Sequence, residues 1–268
     1  MSAQLKPQSA IPLNCSPEEW EARLELACCY RAVEHMGWHR DSIYNHISVR
    51  APGRDAHFLL NPFGLMYQEV TASNLLKVDL KSNKVMPSPY PVFAPGFVVH
   101  ASVHRVREDL KCVIHTHSFA GMAVSAQEQG ILPLTLASMG LQGRVAYYDC
   151  EGITDDPDEC ERIAAALGDK NAMVLRNHGL LAAGDTVGQA FALMRKLEES
   201  CAVQIMAQAG GARLSIPPKD IVQKTSKQAA VSIVKPQLMG ADKETSKKDV
   251  AWDAMRRLMD RLYPDYRD

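Results

Sequence analysis

What most limits the fold of this chain is a series of short apolar runs, each cut off within a few residues by turn-forming sequence. Residues 47–50, 57–60 and 76–80 are such runs, separated by Pro52-Gly53, Asn61-Pro62-Phe63-Gly64 and Lys81-Ser82-Asn83. Gly, Pro and Asn favour chain reversal, so this part reads as a meander of short strands. Residues 111–115 and 172–175 are two more apolar runs with the make-up of buried strands. Four prolines within residues 86–95 make that stretch an extended loop.

Between the runs lie segments with helical spacing. Ser16 and Glu19 form a capping-box pattern that opens a helix to about His35, stopped by Gly37. Pro95-Gly96 opens another to about Arg107, with Phe97, Ala101 and His104 at helical spacing. Further helices are expected from about Phe119 to Gln129, from Asp156 to Leu167 and from Asp185 to Gln208. The last carries an apolar stripe of Val187, Phe191, Met194, Leu197, Cys201 and Ile205, and Gly210-Gly211 ends it. Residues 212–250 are rich in Lys, Ser, Pro and Gln with weak periodicity and read as a mobile linker. Trp252, Met255, Leu258 and Leu262 then mark a short terminal helix. The expected organisation is an arm (1–15), a folded body (16–211), a linker (212–250) and a helical tail (251–268).

With 268 residues, the chain is long enough to bury a core without covalent staples. A net charge of -1 gives no electrostatic case for nucleic acid. No window is apolar enough, for long enough, to span a bilayer, and residues 1–13 lack the pattern of a signal peptide. Seven cysteines without CxxC spacing read as reduced thiols. The expectation is a cytoplasmic protein.

His115-Thr116-His117 directly follows the apolar run Cys112-Val113-Ile114. Residues two apart on a strand share a face, so both imidazoles can converge beyond the strand end. A lone pair of this kind also occurs as surface or core histidines. His178, in Arg176-Asn177-His178-Gly179-Leu180 after a second apolar run, makes a third candidate ligand. Three histidines at two strand ends can form a facial set that leaves coordination positions open to substrate.

The blocks Cys112 to His117, Ala146-Tyr147-Tyr148-Asp149, Arg176 to Leu181 and Gly184 to Phe191 resemble the class II aldolase/adducin family, over about residues 17–211. That resemblance implies an α/β fold, an α/β/α sandwich around a mainly antiparallel central sheet, often tetrameric with sites between subunits. It also implies a divalent metal on His115, His117 and His178, zinc first and Fe(II) or Mn as alternatives. The family's sugar-phosphate aldolases place a catalytic glutamate where this chain has Gly96, and phosphate-binding serines where it has Ala94 and Pro95. Their Gly-Asn and Thr-Gly phosphate contacts appear here as Asn45-His46 and Phe63-Gly64. A phosphorylated sugar therefore fits poorly, and the chain looks more like the adducin-like branch, including its bacterial members.

His100, one turn after Gly96, is a candidate replacement base, although it can equally just pack or cap its helix. Asn45, His46 and Gly64 are candidate contacts for a carboxylate or carbonyl of the substrate. Tyr148 is a candidate acid and Arg176 a candidate carboxylate partner, each with a structural alternative. Three functions follow from the resemblance. The first is a metal-dependent lyase acting on a small, non-phosphorylated hydroxy- or keto-acid, by aldol cleavage or decarboxylation. The second is a mononuclear iron oxygenase acting on an aromatic keto-acid. The third is a non-catalytic, actin-linked role like that of adducin, for which the chain lacks a long Lys-rich tail.

Overall fold

The computed structural model describes residues 15–39, 43–152, 158–234 and 249–268. The strands are β1 (His46–Arg50), β2 (Phe58–Leu60), β3 (Leu76–Val78), β4 (Cys112–Thr116), β5 (Val145–Tyr148), β6 (Ala172–Leu175) and β7 (Gly179–Gly184). They form one sheet in the order β3-β2-β1-β4-β7-β6-β5. Only the β5–β6 pair is parallel; the other five pairs are antiparallel. The fold is thus α/β with a mostly antiparallel sheet between helices, as the resemblance implies.

The helices are α1 (Pro17–His35), α2 (Ala94–Val106), α3 (Phe119–Ser125), α4 (Leu136–Leu141), α5 (Glu159–Leu167), α6 (Val187–Ala209), α7 (Lys219–Val234) and α8 (Val250–Leu262). Strand side chains alternate between faces, and the core divides accordingly. Ile47, Val49, Cys112, Ile114, Val174, Leu180 and Ala182 pack under α1, α6 and α8. Val113, Met173, Leu175, Leu181 and Ala183 pack on the other face, against Val99 and Val103 of α2 and Ile163 and Leu167 of α5. Phe58, Leu60, Leu76 and Val78 extend that second layer beneath Phe97 and Ala101. His115 and His46 pair directly in the β1–β4 ladder, so both rings leave the sheet on the α2 side.

Several expectations need correction. The helix opened by Phe119 ends at Ser125, not near Gln129. The expected start of α5 at Asp156 lies outside the described residues, and the helix itself begins at Glu159. Strand β7 and helix α4 were not anticipated. Within the region read as a linker, residues 219–234 form α7. It lies against α4, where Ser226 Oγ donates to the Gln142 carbonyl at 2.9 Å. A Cβ on Gly140 would sit 2.9 Å from that of Ala229. In α8, Trp252 and Met259 are buried, while Leu262 is exposed rather than on the packed face. The expected arm at residues 1–14 and the rest of the linker at 235–248 lie outside the described residues. Among the described residues no helix is long and apolar enough to cross a membrane.

Candidate metal centre

β4 carries His115 and Thr116 at its end, and His117 follows, separated from α3 by its N-cap Ser118. His178 sits in the tight β6–β7 turn, held by its own N–H on the Leu175 carbonyl at 3.1 Å. Asn177 before it takes φ +56, the left-handed region that Asn tolerates better than most side chains. β4 and β7 are neighbours, so the turn returns His178 to the end of β4.

The three imidazoles meet at Nε2. His117 Nε2 lies 2.8 Å and His178 Nε2 3.3 Å from His115 Nε2. All three ligand atoms fall within 4.8 Å of one another. Nitrogens about 2.1 Å from one ion would be about 3.0–3.4 Å apart for angles between 90° and tetrahedral. The His115–His178 separation falls in that range and the His115–His117 separation just below it.

The chemistry of the donors fits a cation. His115 Nδ1 lies 2.9 Å from the Leu180 carbonyl, which accepts only if Nδ1 carries the proton. That leaves the Nε2 lone pair facing the other two rings, the usual tautomer of a ligating histidine. Burial, then the neighbouring His117 and His178, holds the His115 imidazole well below the usual histidine range. Burial brings His117 down to about 4 and lowers His178 as well. All three are therefore neutral near pH 7, with lone pairs gathered around one point. His115 is buried, while His117 and His178 keep partial exposure, so one side of the cluster stays open.

Gly179 makes this approach sterically feasible. A Cβ there would lie 2.3 Å from the Thr116 carbonyl oxygen and 3.0 Å from His117 Cδ2. On the opposite face of β4, Glu198 of α6 is only 4 % exposed. Its carboxylate accepts from Thr116 Oγ at 2.6 Å and from Ser118 Oγ at 2.5 Å. Burial raises its pKa, and the two hydroxyl bonds oppose that rise. Sequence reasoning missed this residue. In Glu198-Glu199 it reads as ordinary helix surface, and only the packing of α6 under β4 shows otherwise.

Beside the triad, Gly96 is explained by His46. A Cβ at residue 96 would lie 2.2 Å from His46 Nε2, so the His46 ring occupies the space that a side chain there would need. His46 Nδ1 bonds Asn61 Oδ1 at 3.2 Å, and its Nε2 has no hydrogen-bond partner. The His46 ring stacks on Phe93, which stacks on Phe63 at 4.7 Å, and Tyr44 closes on both phenyl rings. Gly64 follows in the turn with φ +97. Asn45 turns away from this wall, donating its amide to the His39 carbonyl at 2.9 Å.

His100 is also buried. Its Nδ1 and the Nε2 of His104 both lie 2.8 Å from Ser48 Oγ, and His100 Nε2 is unpartnered. Its ring centroid is 6.1 Å from that of His46.

Tyr148 and Arg176 share a cavity with His178, together with Cys150, Glu151 and Glu159. The Tyr148 hydroxyl lies near Glu151 and Arg162, and burial, then Glu151, raises its pKa and keeps the phenol protonated. The Arg176 guanidinium is committed to the chain itself. It donates to the Gln127 carbonyl at 2.6 Å and the Glu128 carbonyl at 3.2 Å, and lies over the Tyr147 ring.

The depressed histidines also set a pH dependence. Burial lowers His46 and His117 to about 4 and His104 to about 3, against an ordinary value of 6.5. Below pH 6.5 the unfolded chain takes up protons that the fold refuses, so stability is lost as pH falls towards 4. For the metal-free protein, urea midpoints at pH 7 and pH 4.5 are expected to differ by on the order of a few kcal/mol in unfolding free energy. Equal midpoints would mean that these rings are hydrated.

Comparison with known proteins agrees with this architecture. Residues 24–205 match the family model described as the Class II Aldolase and Adducin N-terminal domain. A crystal structure of an aldolase II superfamily protein from Pseudomonas syringae superposes with a TM-score of 0.85 at 41% identity, covering 97% of this chain and 100% of that one. An L-fuculose 1-phosphate aldolase from Glaciozyma antarctica superposes with a TM-score of 0.76 at 25% identity, covering 96% and 97%. Alpha-adducin of Rattus norvegicus is 42% identical over 194 residues, which are 70% of this chain and 26% of that protein. A fold, a histidine cluster and a family match over most of the chain converge on one assignment: the protein belongs to the class II aldolase and adducin N-terminal domain family.

Proposed function

We propose that the protein is a divalent-metal-dependent carbon–carbon lyase acting on a small, non-phosphorylated hydroxy- or keto-acid. The observation that carries this reading is the convergence of three neutral imidazoles on one partly open point, with the His115 tautomer fixed by the Leu180 carbonyl. His115, His117 and His178 would hold a divalent cation, zinc by this reading with Fe(II) or Mn(II) as alternatives, which when bound would polarise the carbonyl or carboxylate beside the bond that breaks. His46 and His100 each keep an Nε2 without a partner on the same side of the sheet, and to this pair we assign removal of the substrate hydroxyl proton. Tyr148, in the cavity with His178, returns a proton to the carbon fragment left by cleavage. Arg176 is better read as support for this cavity than as a substrate clamp, given its backbone partners.

The wall beside the triad supports a substrate without phosphate. Tyr44, Phe63, Phe93 and His46 present rings there rather than cationic groups. Seven free thiols support a reducing, cytoplasmic setting. Assembly into a homotetramer is proposed from the family resemblance alone; Leu136 and Met206 are exposed apolar side chains that such an interface could cover.

The test is elemental analysis of protein purified without added metal, followed by a substrate panel with the metal found. Cleavage of a non-phosphorylated hydroxy-acid is expected, with kcat/KM for a sugar 1-phosphate lower by about 10²-fold or more, the scale of losing several hydrogen bonds to a charged group. Preference for the phosphosugar, or equal turnover by metal-free protein, would overturn the proposal. The aromatic wall also favours a second reading, an iron oxygenase of aromatic keto-acids, which oxygen uptake by iron-loaded protein would separate from the first.

A further inference from the structure

We infer that Glu198 is the positioning residue that sets the orientation of His117, and hence the affinity of the triad for its ion, from the opposite face of the sheet. The inference rests on the metal-site reading above. His117 is the one residue between the end of β4 at Thr116 and the N-cap of α3 at Ser118. Such a link has soft backbone dihedrals unless both flanks are fixed. Both are fixed by a single carboxylate, with Thr116 Oγ on one oxygen and Ser118 Oγ on the other. Ser118 Oγ also accepts from the Gly121 N–H at 3.0 Å, so the bracket reaches the first turn of α3.

The carboxylate stands on α6, the longest helix among the described residues, among Leu197, Cys201 and Met194, all fully buried. Thr116 also reaches the Met194 sulfur at 3.5 Å. Among the described residues no Arg or Lys forms an ion pair with Glu198, so its two hydroxyl donors are its polar support. On the other face, Gly179 lets the Thr116 carbonyl and the His117 ring pack tightly. His117 is thus gripped between a glycine wall and a carboxylate bracket. It is also the triad member whose Nε2 sits closest to His115, so its placement decides whether three nitrogens share one ion.

The test is Co(II) titration of the full-length metal-free protein, read by visible absorption and by competition with a chelator. Glu198→Ala is expected to weaken Co(II) binding by about 10–100-fold, the range for loss of a group that orients a ligand, and to alter the Co(II) spectrum. Glu198→Gln can accept one hydroxyl proton and donate its amide to the other oxygen, so its affinity and spectrum are expected to stay close to wild type. Thr116→Val removes one bond without changing shape and is expected to fall between them; it also decides the matter if Glu198→Ala does not fold. Wild-type affinity and spectrum in both Glu198→Ala and Thr116→Val would overturn the inference. So would Glu198→Gln as weak as Glu198→Ala, because charge rather than bond geometry would then be at work. If the wild type takes up no Co(II), the metal-site reading itself fails, an outcome distinct from a binding wild type with indifferent variants.

Discussion

Alanine at His115 is expected to leave the protein without bound metal and with kcat/KM lower by about 10³-fold or more. His115 is the hub of the triad, since its Nε2 lies within 3.3 Å of both partners. Its Nδ1 bond to the Leu180 carbonyl fixes the ring from behind, and β4 pairing on both sides fixes the backbone. Removing it leaves two histidines with one-sided access, too few for a site that must also keep positions open. A bound ion supplies several kcal/mol of charge stabilisation, and each 1.36 kcal/mol is about tenfold in rate. Metal stoichiometry and steady-state kinetics on the same preparation check this. One ion per chain in the variant, or unchanged turnover, would show that the chemistry lies elsewhere.

Gly179→Ala should cost nearly as much by a different route. The added methyl would stand 2.3 Å from the Thr116 carbonyl oxygen, an atom of β4 backbone. A flexible side chain could swing aside, but a carbonyl in a paired strand cannot without breaking its ladder. Relief must come from separation of β4 from the β6–β7 turn, which carries His115 and His117 away from His178. Overpacking of this kind costs about 1–3 kcal/mol, and here it also pulls apart the ligands. We expect a clear fall in the denaturant midpoint together with loss of most metal affinity. By contrast, Gly64→Ala meets nothing within 4 Å, and its positive φ is the only penalty. Gly179→Ala with wild-type stability and metal content would mean that the turn adapts without moving its histidine.

Much of the fold and of the triad is legible in the sequence because each rests on local pattern. The run Cys112 to Ile114 alternates faces and ends in polar ligands, so strand, end and ligand direction are read together. The helix that starts at the Ser16 cap begins within a residue of expectation, since Ser16 accepts from the Glu19 N–H, although the Glu19 carboxylate accepts from Arg23 and Lys77 rather than closing the expected capping box. What escaped depends on contacts distant in sequence. β7, Gly179 to Gly184, contains two glycines and two alanines and has little strand character of its own. It is a strand because β4 and β6 flank it. α7 has a polar, weakly periodic sequence and takes its place against α4. The fit of His46 over Gly96 joins residues that no local pattern links, and Glu198 looks like surface until α6 is docked.

The β6–β7 turn brings His178 to a partner 63 residues earlier in the chain. An ion shared between them would act as a clasp across that span, and by linkage its grip and the closure of the turn would be a single equilibrium. Whatever loosens the turn must weaken retention of the ion to the same degree. Conversely, if an ion binds there, a chelator would loosen this one hairpin first and leave the helices on the far face of the sheet in place.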